Sequence, residues 1–381
     1  MIKKLEVNHF TAFPKADFVF GDKLNILIGE NGSGKTQILK FLYATGLLLQ
    51  SSQKKNTRFI TMVPPDDVKI FRSTFKVGKV ADLINLAWRN QKTTSTKKPL
   101  SYNTDGSPID LVTINLAGVK STNQIVISNG TAKITYDVNL AYYDVSVGNM
   151  LHTKFTDIIP DDLFTEVLFL PTHELLSIYP SYQSLSKRYE LPYDRTYDDC
   201  ISALGLPYEK ENSEEYDSIV KTLEKAIGGR IFLEDEKFFF HPASAPEGQN
   251  FSINMTAEGW RKLGMILQLL KNGSLHKNMM LFWDEPEANL NPRLICLIAK
   301  VIVELSKLGI QVFMATHSLF LLREIDMLTK ADKDLKKGAV RYFNFLGKGK
   351  VEQGDTPEDL DNILLLEESL KQSDRYLEGD F

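Results

Sequence analysis

The sequence predicts an α/β fold: a mixed sheet with an antiparallel β subdomain and a small helical insert. Three observations carry this expectation. The apolar run Leu24–Ile28 ends in a glycine-rich segment that opens onto helical spacing. Two further apolar runs, Met279–Trp283 and Gln311–Ala315, are separated by a helical stretch, Leu294–Leu308, as parallel strands require. The stretch Leu111–Val147 is rich in Val, Ile, Thr and Tyr, with a turn signal at Ser128-Asn129-Gly130, which predicts antiparallel strands.

Taken in order, Ile2, Leu5, Val7, Phe10, Phe13, Phe18 and Phe20 alternate with polar residues, predicting two short strands joined around Ala12–Lys15. After the strand at Leu24–Ile28 and the glycine loop, a helix is expected over Gln37–Leu49. Val167–Leu170 reads as a buried strand stopped by Pro171, and Leu175–Lys225 as short helical pieces without a sustained heptad. Two β runs, Arg230–Leu233 and Lys237–His241, lead to a helix over Ala257–Lys271 closed by Asn272-Gly273. Ile363–Leu366 predicts that part of the tail packs as a helix. The expected division is 1–170, 171–225 for the helical insert, and 226–381.

The 381 residues, 43% of them hydrophobic, suffice for a sizeable core, and 25% charge with 15 Pro and 23 Gly excludes a collagen, a coiled-coil rod or a disordered chain. Two widely spaced cysteines, Cys200 and Cys296, give neither a disulfide framework nor a zinc cluster. With no long apolar run or signal-like amino terminus, they predict a soluble, cytoplasmic protein that does not enter the membrane. The net charge of −4 is unevenly placed. Residues 51–100 hold 8 Lys and 3 Arg against 3 Asp, and residues 351–381 hold 10 acidic against 2 basic residues. Such runs serve as solvated faces or as binding faces for a polyanion or a charged partner.

Gly29-Glu30-Asn31-Gly32-Ser33-Gly34-Lys35-Thr36 satisfies G-x-x-x-x-G-K-[S/T] between a strand and a helix, the context that this phosphate-binding pattern needs. Its glycines let backbone N–H groups curl around phosphate oxygens. Lys35 reaches the β and γ phosphates, and the Thr36 hydroxyl ligates Mg²⁺. Leu281-Phe282-Trp283-Asp284-Glu285 ends a hydrophobic strand with two carboxylates: Asp284 to hold Mg²⁺ and Glu285 to polarise the attacking water. Thr316-His317-Ser318 follows the next strand, where His317 can face the same γ-phosphate.

In this order, a phosphate loop, Asp284-Glu285-Pro286-Glu287 and a strand ending in Thr316-His317-Ser318, the chain resembles the P-loop ABC-type ATPase head of the SMC, RecF and overcoming-lysogenisation-defect branch. Leu5–Phe13 looks like that branch's first strand, and Glu285–Pro292 like its Walker B and D-loop. Small stand-alone ATPases of bacterial anti-phage systems, such as the Septu ATPase, are similar.

The resemblance implies an Mg²⁺-dependent ATPase that works as a head-to-tail homodimer, with two ATP molecules held between subunits and a separate effector, a nuclease or toxin, under its control. It also implies a signature loop that reaches the partner's γ-phosphate. Met255-Thr256-Ala257-Glu258-Gly259 is the candidate, with Thr256 and the backbone at Glu258 and Gly259 as the contacts, although Thr and Glu are also good helix-capping chemistry. The family's Gln-bearing loop falls at Pro171-Thr172-His173-Glu174, where His173 or Glu174 takes the place of Gln or a plain turn stands instead. A RecF-like clamp on nucleic acid is the alternative. A transporter subunit fits less well, for want of a glycine-rich signature.

Overall fold

The computed structural model describes residues 2–54, 70, 73–76, 124–128, 133–137, 152–155, 166–186, 188–208, 214–361 and 363–379. Lys55, Lys97, Lys98 and most of the basic stretch 51–100 lie outside them, as does the predicted turn after Ser128. The central sheet has six strands. β3 (Leu24–Gly29) is flanked on one side by β12 (Gln311–Thr316), β11 (Met280–Asp284) and β7 (Val167–Leu170), and on the other by β13 (Val340–Gly347) and β14 (Lys350–Gly354). Neighbours are parallel except for β14, which pairs antiparallel with β13.

Parallel strands buried on both faces read as continuous apolar runs, which is why β3, β11 and β12 are visible in the sequence. Alternate residues still face different layers. Phe169, Met280, Phe282, Phe313 and Phe343 pack with Ile38, Leu39 and Leu42 of helix α1 (Lys35–Lys54). Leu168, Leu281, Trp283, Val312 and Met314 pack into the opposite layer. Phe169, Phe282 and Phe313 stack in a row across three strands, with centroid separations of 6.5 and 5.0 Å.

The antiparallel subdomain is a five-stranded sheet in the order β2-β1-β4-β5-β6: β1 (Lys4–Phe10), β2 (Phe13–Val19), β4 (Gln124–Ser128), β5 (Lys133–Asp137) and β6 (His152–Phe155). The β1–β2 connection is tighter than the predicted Ala12–Lys15, because Thr11 takes a positive φ of 44° and Phe10 already pairs with Phe13. A third, three-stranded sheet joins β8 (Gly229–Glu234), β9 (Lys237–Pro242) and β10 (Phe251–Ser252).

Helices α2 (Tyr179–Ser186), α3 (Arg195–Leu204) and α4 (Asp217–Ile227) lie in the region read as a helical insert. Their Tyr179, Cys200, Leu204 and Leu223 share one core with the sheet and with α5 (Glu258–Lys271), α6 (Pro292–Lys307) and α7 (Leu319–Ala331). The acidic tail carries α8 (Leu364–Glu378), anchored by Leu365 and Leu366 against this core. Among the described residues, no helix is long and apolar enough to cross a membrane.

Candidate active site

Parallel topology places the carboxyl ends of β3, β11 and β12 side by side, and each end carries one of the polar segments picked out in the sequence. After β3 the chain turns through Gly29, Gly32 and Gly34, with φ of 148°, 78° and 103°, values that disfavour a side chain. Gly29 and Gly34 also lack room, since a Cβ would stand 2.6 Å from the Phe345 carbonyl oxygen and 2.7 Å from the Phe13 ring respectively. Lys35 begins α1 almost fully buried, and its Nζ donates to the carbonyls of Gly29 at 2.6 Å and Glu30 at 2.8 Å. Burial pulls its pKa down, while Glu285, Asp284, Glu287 and Glu30 pull the other way.

One residue further on, Thr36 Oγ1 donates to Asp284, 3.1 Å from Oδ1 and 3.0 Å from Oδ2. Burial pushes the Asp284 carboxyl up to about 6, partly offset by this hydrogen bond and by Lys40 and Lys35. A hydroxyl and a carboxylate at this spacing are hard oxygen donors of the kind Mg²⁺ takes alongside phosphate and water. Thr36 and Asp284 therefore fit the metal expected of the motif.

Glu285 follows with a φ of 48°, an uncommon value for a side-chain-bearing residue. Its N–H donates to the Ala315 carbonyl at 2.9 Å, and its Oε1 lies 3.1 Å from His317 Nδ1. Glu287 is deeply buried and accepts at Oε1 from the Thr316 hydroxyl at 2.6 Å and the His317 N–H at 3.2 Å. The structure thus brings together Lys35, Thr36, Asp284, Glu285 and His317 from three segments remote in sequence.

The signature candidate sits elsewhere on the same assembly. Thr256 donates its hydroxyl to the Ile253 carbonyl at 2.7 Å, and Ala257 precedes α5 without a side-chain cap. Glu258 Oε1 accepts from Asn289 Nδ2 at 2.7 Å, joining the signature to the turn after Glu285. Gly259 is buried, and a Cβ there would meet Leu294 Cδ1 at 2.7 Å, so close packing accounts for this glycine. Of the remaining candidates, His173 is exposed, and Glu174 is buried with its carboxylate engaged by Arg261 Nε at 2.8 Å and by the Ser177 hydroxyl. Glu174 thus ties the loop after β7 to α5.

Two neighbours on α5 were not singled out by sequence reasoning. Arg261 also donates to the Thr256 carbonyl at 2.6 Å. Lys262, only 3% exposed, donates to the carbonyls of Glu285 at 2.8 Å, Thr172 at 3.0 Å and Ala288 at 3.2 Å. Burial lowers its pKa to about 8 against the pull of nearby carboxylates, Glu287 first. The available signal was a lysine just ahead of Leu263–Leu270, on a stretch otherwise fit for burial.

Comparison with known proteins shows what the chain is similar to. A family profile described as an AAA domain matches residues 4–227, and a second, described as an AAA domain, putative AbiEii toxin, Type IV TA system, matches 159–323. The DNA replication and repair protein RecF of Shouchella clausii (strain KSM-K16) is 32% identical over 65 residues, 17% of this chain and 18% of that protein. RecF of Proteus mirabilis (strain HI4320) is 41% identical over 46 residues, 12% of this chain and 13% of its own length. The matched stretch thus spans less than a fifth of these curated relatives. Among solved structures, an SMC head bound to the C-winged helix domain of ScpA aligns with 94% of this chain and 98% of its own, at 15% identity and a TM-score of 0.49. The SMC head domain from Thermotoga maritima aligns with 93% and 98%, at 13% identity and a TM-score of 0.44. With the first profile spanning more than half of its length, the chain belongs to the AAA domain family.

Proposed function

We propose that the chain is a Mg²⁺-dependent ATPase that closes as a head-to-tail homodimer on ATP and opens on hydrolysis. The observation that carries the catalytic half of this reading is the meeting of Thr36 with Asp284 beside the Glu285–His317 pair. In this reading the glycine loop and Lys35 hold the β and γ phosphates. Thr36 and Asp284 hold the metal, which when bound neutralises phosphate charge. Glu285 accepts a proton from the water that attacks the γ-phosphorus as the bond to the bridging β–γ oxygen breaks, and His317 contacts the transferred phosphoryl group.

The dimer reading is supported by the face around the signature. Met255 is 74% exposed beside Thr256, no side chain caps α5, and Glu258 meets Asn289 at the surface. A helix start of this kind suits a phosphate held by a second copy. ATP then binds the closed pair better than the open chain, which is what makes a switch. Its output is control of a separate effector, a nuclease or toxin, in bacterial anti-phage defence, as the sequence resemblance implies. The RecF matches favour a second reading, a clamp on DNA.

Glu285→Gln tests the catalytic core. It preserves shape but removes the base, so ATP binding should persist, turnover should fall by about a hundredfold or more, and sedimentation should show an ATP-dependent dimer. Turnover at the parental rate would place water activation on another residue. Electrophoretic mobility shifts with duplex DNA at two salt concentrations separate the clamp from the effector switch, because phosphate contacts make binding salt-dependent.

A further inference from the structure

We propose that Glu287 is a positioning residue that acts through His317. This rests on the reading of Glu285 and His317 as the catalytic pair. The observation behind it is a directional hydrogen-bond chain at the end of β12. The Ser318 N–H donates to Thr316 Oγ1 at 2.9 Å, so the Thr316 hydroxyl is free to spend its proton on Glu287 Oε1, at 2.6 Å. The His317 N–H donates to the same oxygen at 3.2 Å. One carboxylate oxygen therefore holds both backbone and side chain of the segment that carries the imidazole.

The ring is oriented as a consequence. His317 Nδ1 lies 3.1 Å from Glu285 Oε1 and 3.8 Å from Glu287 Oε1, so that nitrogen faces the two carboxylates, leaving Nε2 as the nitrogen available to phosphate. The Glu287 side chain is 5% exposed, against 27% for Glu285 and 43% for His317, which separates a buried support from two groups open to substrate. Glu287 Oε2 is buried without a hydrogen-bond partner among the described residues. Burying a carboxylate is costly unless it is compensated, and the compensation here comes from the positive charges of Lys262 and Lys35 together with the two donors at Oε1. Pro286 makes the connection between the two glutamates short and stiff, so that orienting His317 from Glu287 also sets its approach to Glu285.

The test is a double-mutant cycle on steady-state ATP hydrolysis. Glu287→Ala should lower kcat by about thirtyfold with KM for ATP within about twofold, and Glu287→Gln, which keeps an acceptor oxygen, should recover about tenfold of that loss. In a His317→Ala background, Glu287→Ala should cost less than about twofold more, since a residue acting through His317 has nothing left to position. Multiplicative losses in the double variant would overturn the proposal, as would a Glu287→Gln protein as slow as Glu287→Ala, which would make the charge itself essential. His317→Ala with parental turnover would overturn both the proposal and the role of His317, whereas parental turnover in Glu287→Ala alone would overturn only the former. If Glu287→Ala fails to show a cooperative melt, Thr316→Val replaces it in the same cycle, with a smaller loss expected that again vanishes without His317.

Discussion

The phosphate loop and the signature turn are both loop-to-helix junctions, yet they are built on opposite principles. In the first, Gly29, Gly32 and Gly34 take positive φ and the loop closes around the Lys35 ammonium. In the second, no residue from Met255 to Gly259 has positive φ, and the glycine packs against the side-chain ends of Leu294 and Leu290. A loop shaped by glycine backbone presents N–H groups to an anion within one chain. A helix start held by packing and side-chain bonds is a rigid surface, suited to being offered to something outside the chain. What links the signature turn to the Glu285 turn is α5, whose Lys262 reaches back to the Glu285 carbonyl while its neighbour Arg261 holds Thr256 and Glu174.

This contrast breaks most sharply at Lys35. Lys35→Ala removes the only full positive charge of the loop, so ATP binding should fall below detection by calorimetry and the thermal stabilisation by Mg-ATP should vanish. Undiminished affinity in the folded variant would sink the assignment of the loop.

Lys262→Met tests the link. Methionine retains apolar bulk but leaves the Glu285, Ala288 and Thr172 carbonyls without their donor, so a loss of about 2–4 kcal/mol in unfolding free energy is expected by denaturant titration. ATP affinity should stay within a few fold while turnover drops further, because the backbone of Glu285 loses its anchor. Equal losses in binding and turnover would make Lys262 purely structural.

Gly259→Ala should have the smallest effect. The added Cβ meets the ends of Leu side chains, which can give way, so about 1–2 kcal/mol of destabilisation is expected with ATP affinity of the single chain unchanged. If instead the monomer loses ATP binding, the signature turn belongs to its own site and the comparison collapses.

Much of this molecule is legible in sequence order. β3, β11 and β12 are parallel strands buried on both faces, so each appears as an unbroken apolar run, and the polar groups at their ends stand out against it. The β13–β14 hairpin escaped the reading, although Gly347-Lys348-Gly349, all with positive φ, marks its turn. Its strand Val340–Gly347 alternates imperfectly, and its place beside β3 is a long-range pairing that local pattern does not encode.

By itself, the sequence determined the phosphate loop, because G-x-x-x-x-G-K-T is a local backbone requirement satisfied within eight consecutive residues. It determined also that Asp284, Glu285 and His317 stand at strand ends. Only the tertiary structure decided how they meet: Thr36 on Asp284, His317 on Glu285, and Glu287 and Lys262 buried behind them. The physical reason is that a buried charge is tolerated only where partners from other segments compensate it, and those partners are chosen by packing rather than by spacing along the chain. Lys262 and Glu287 read as ordinary charged residues in the sequence. In the fold they are among the most buried ions of the described residues, and the Glu285 turn is held between them.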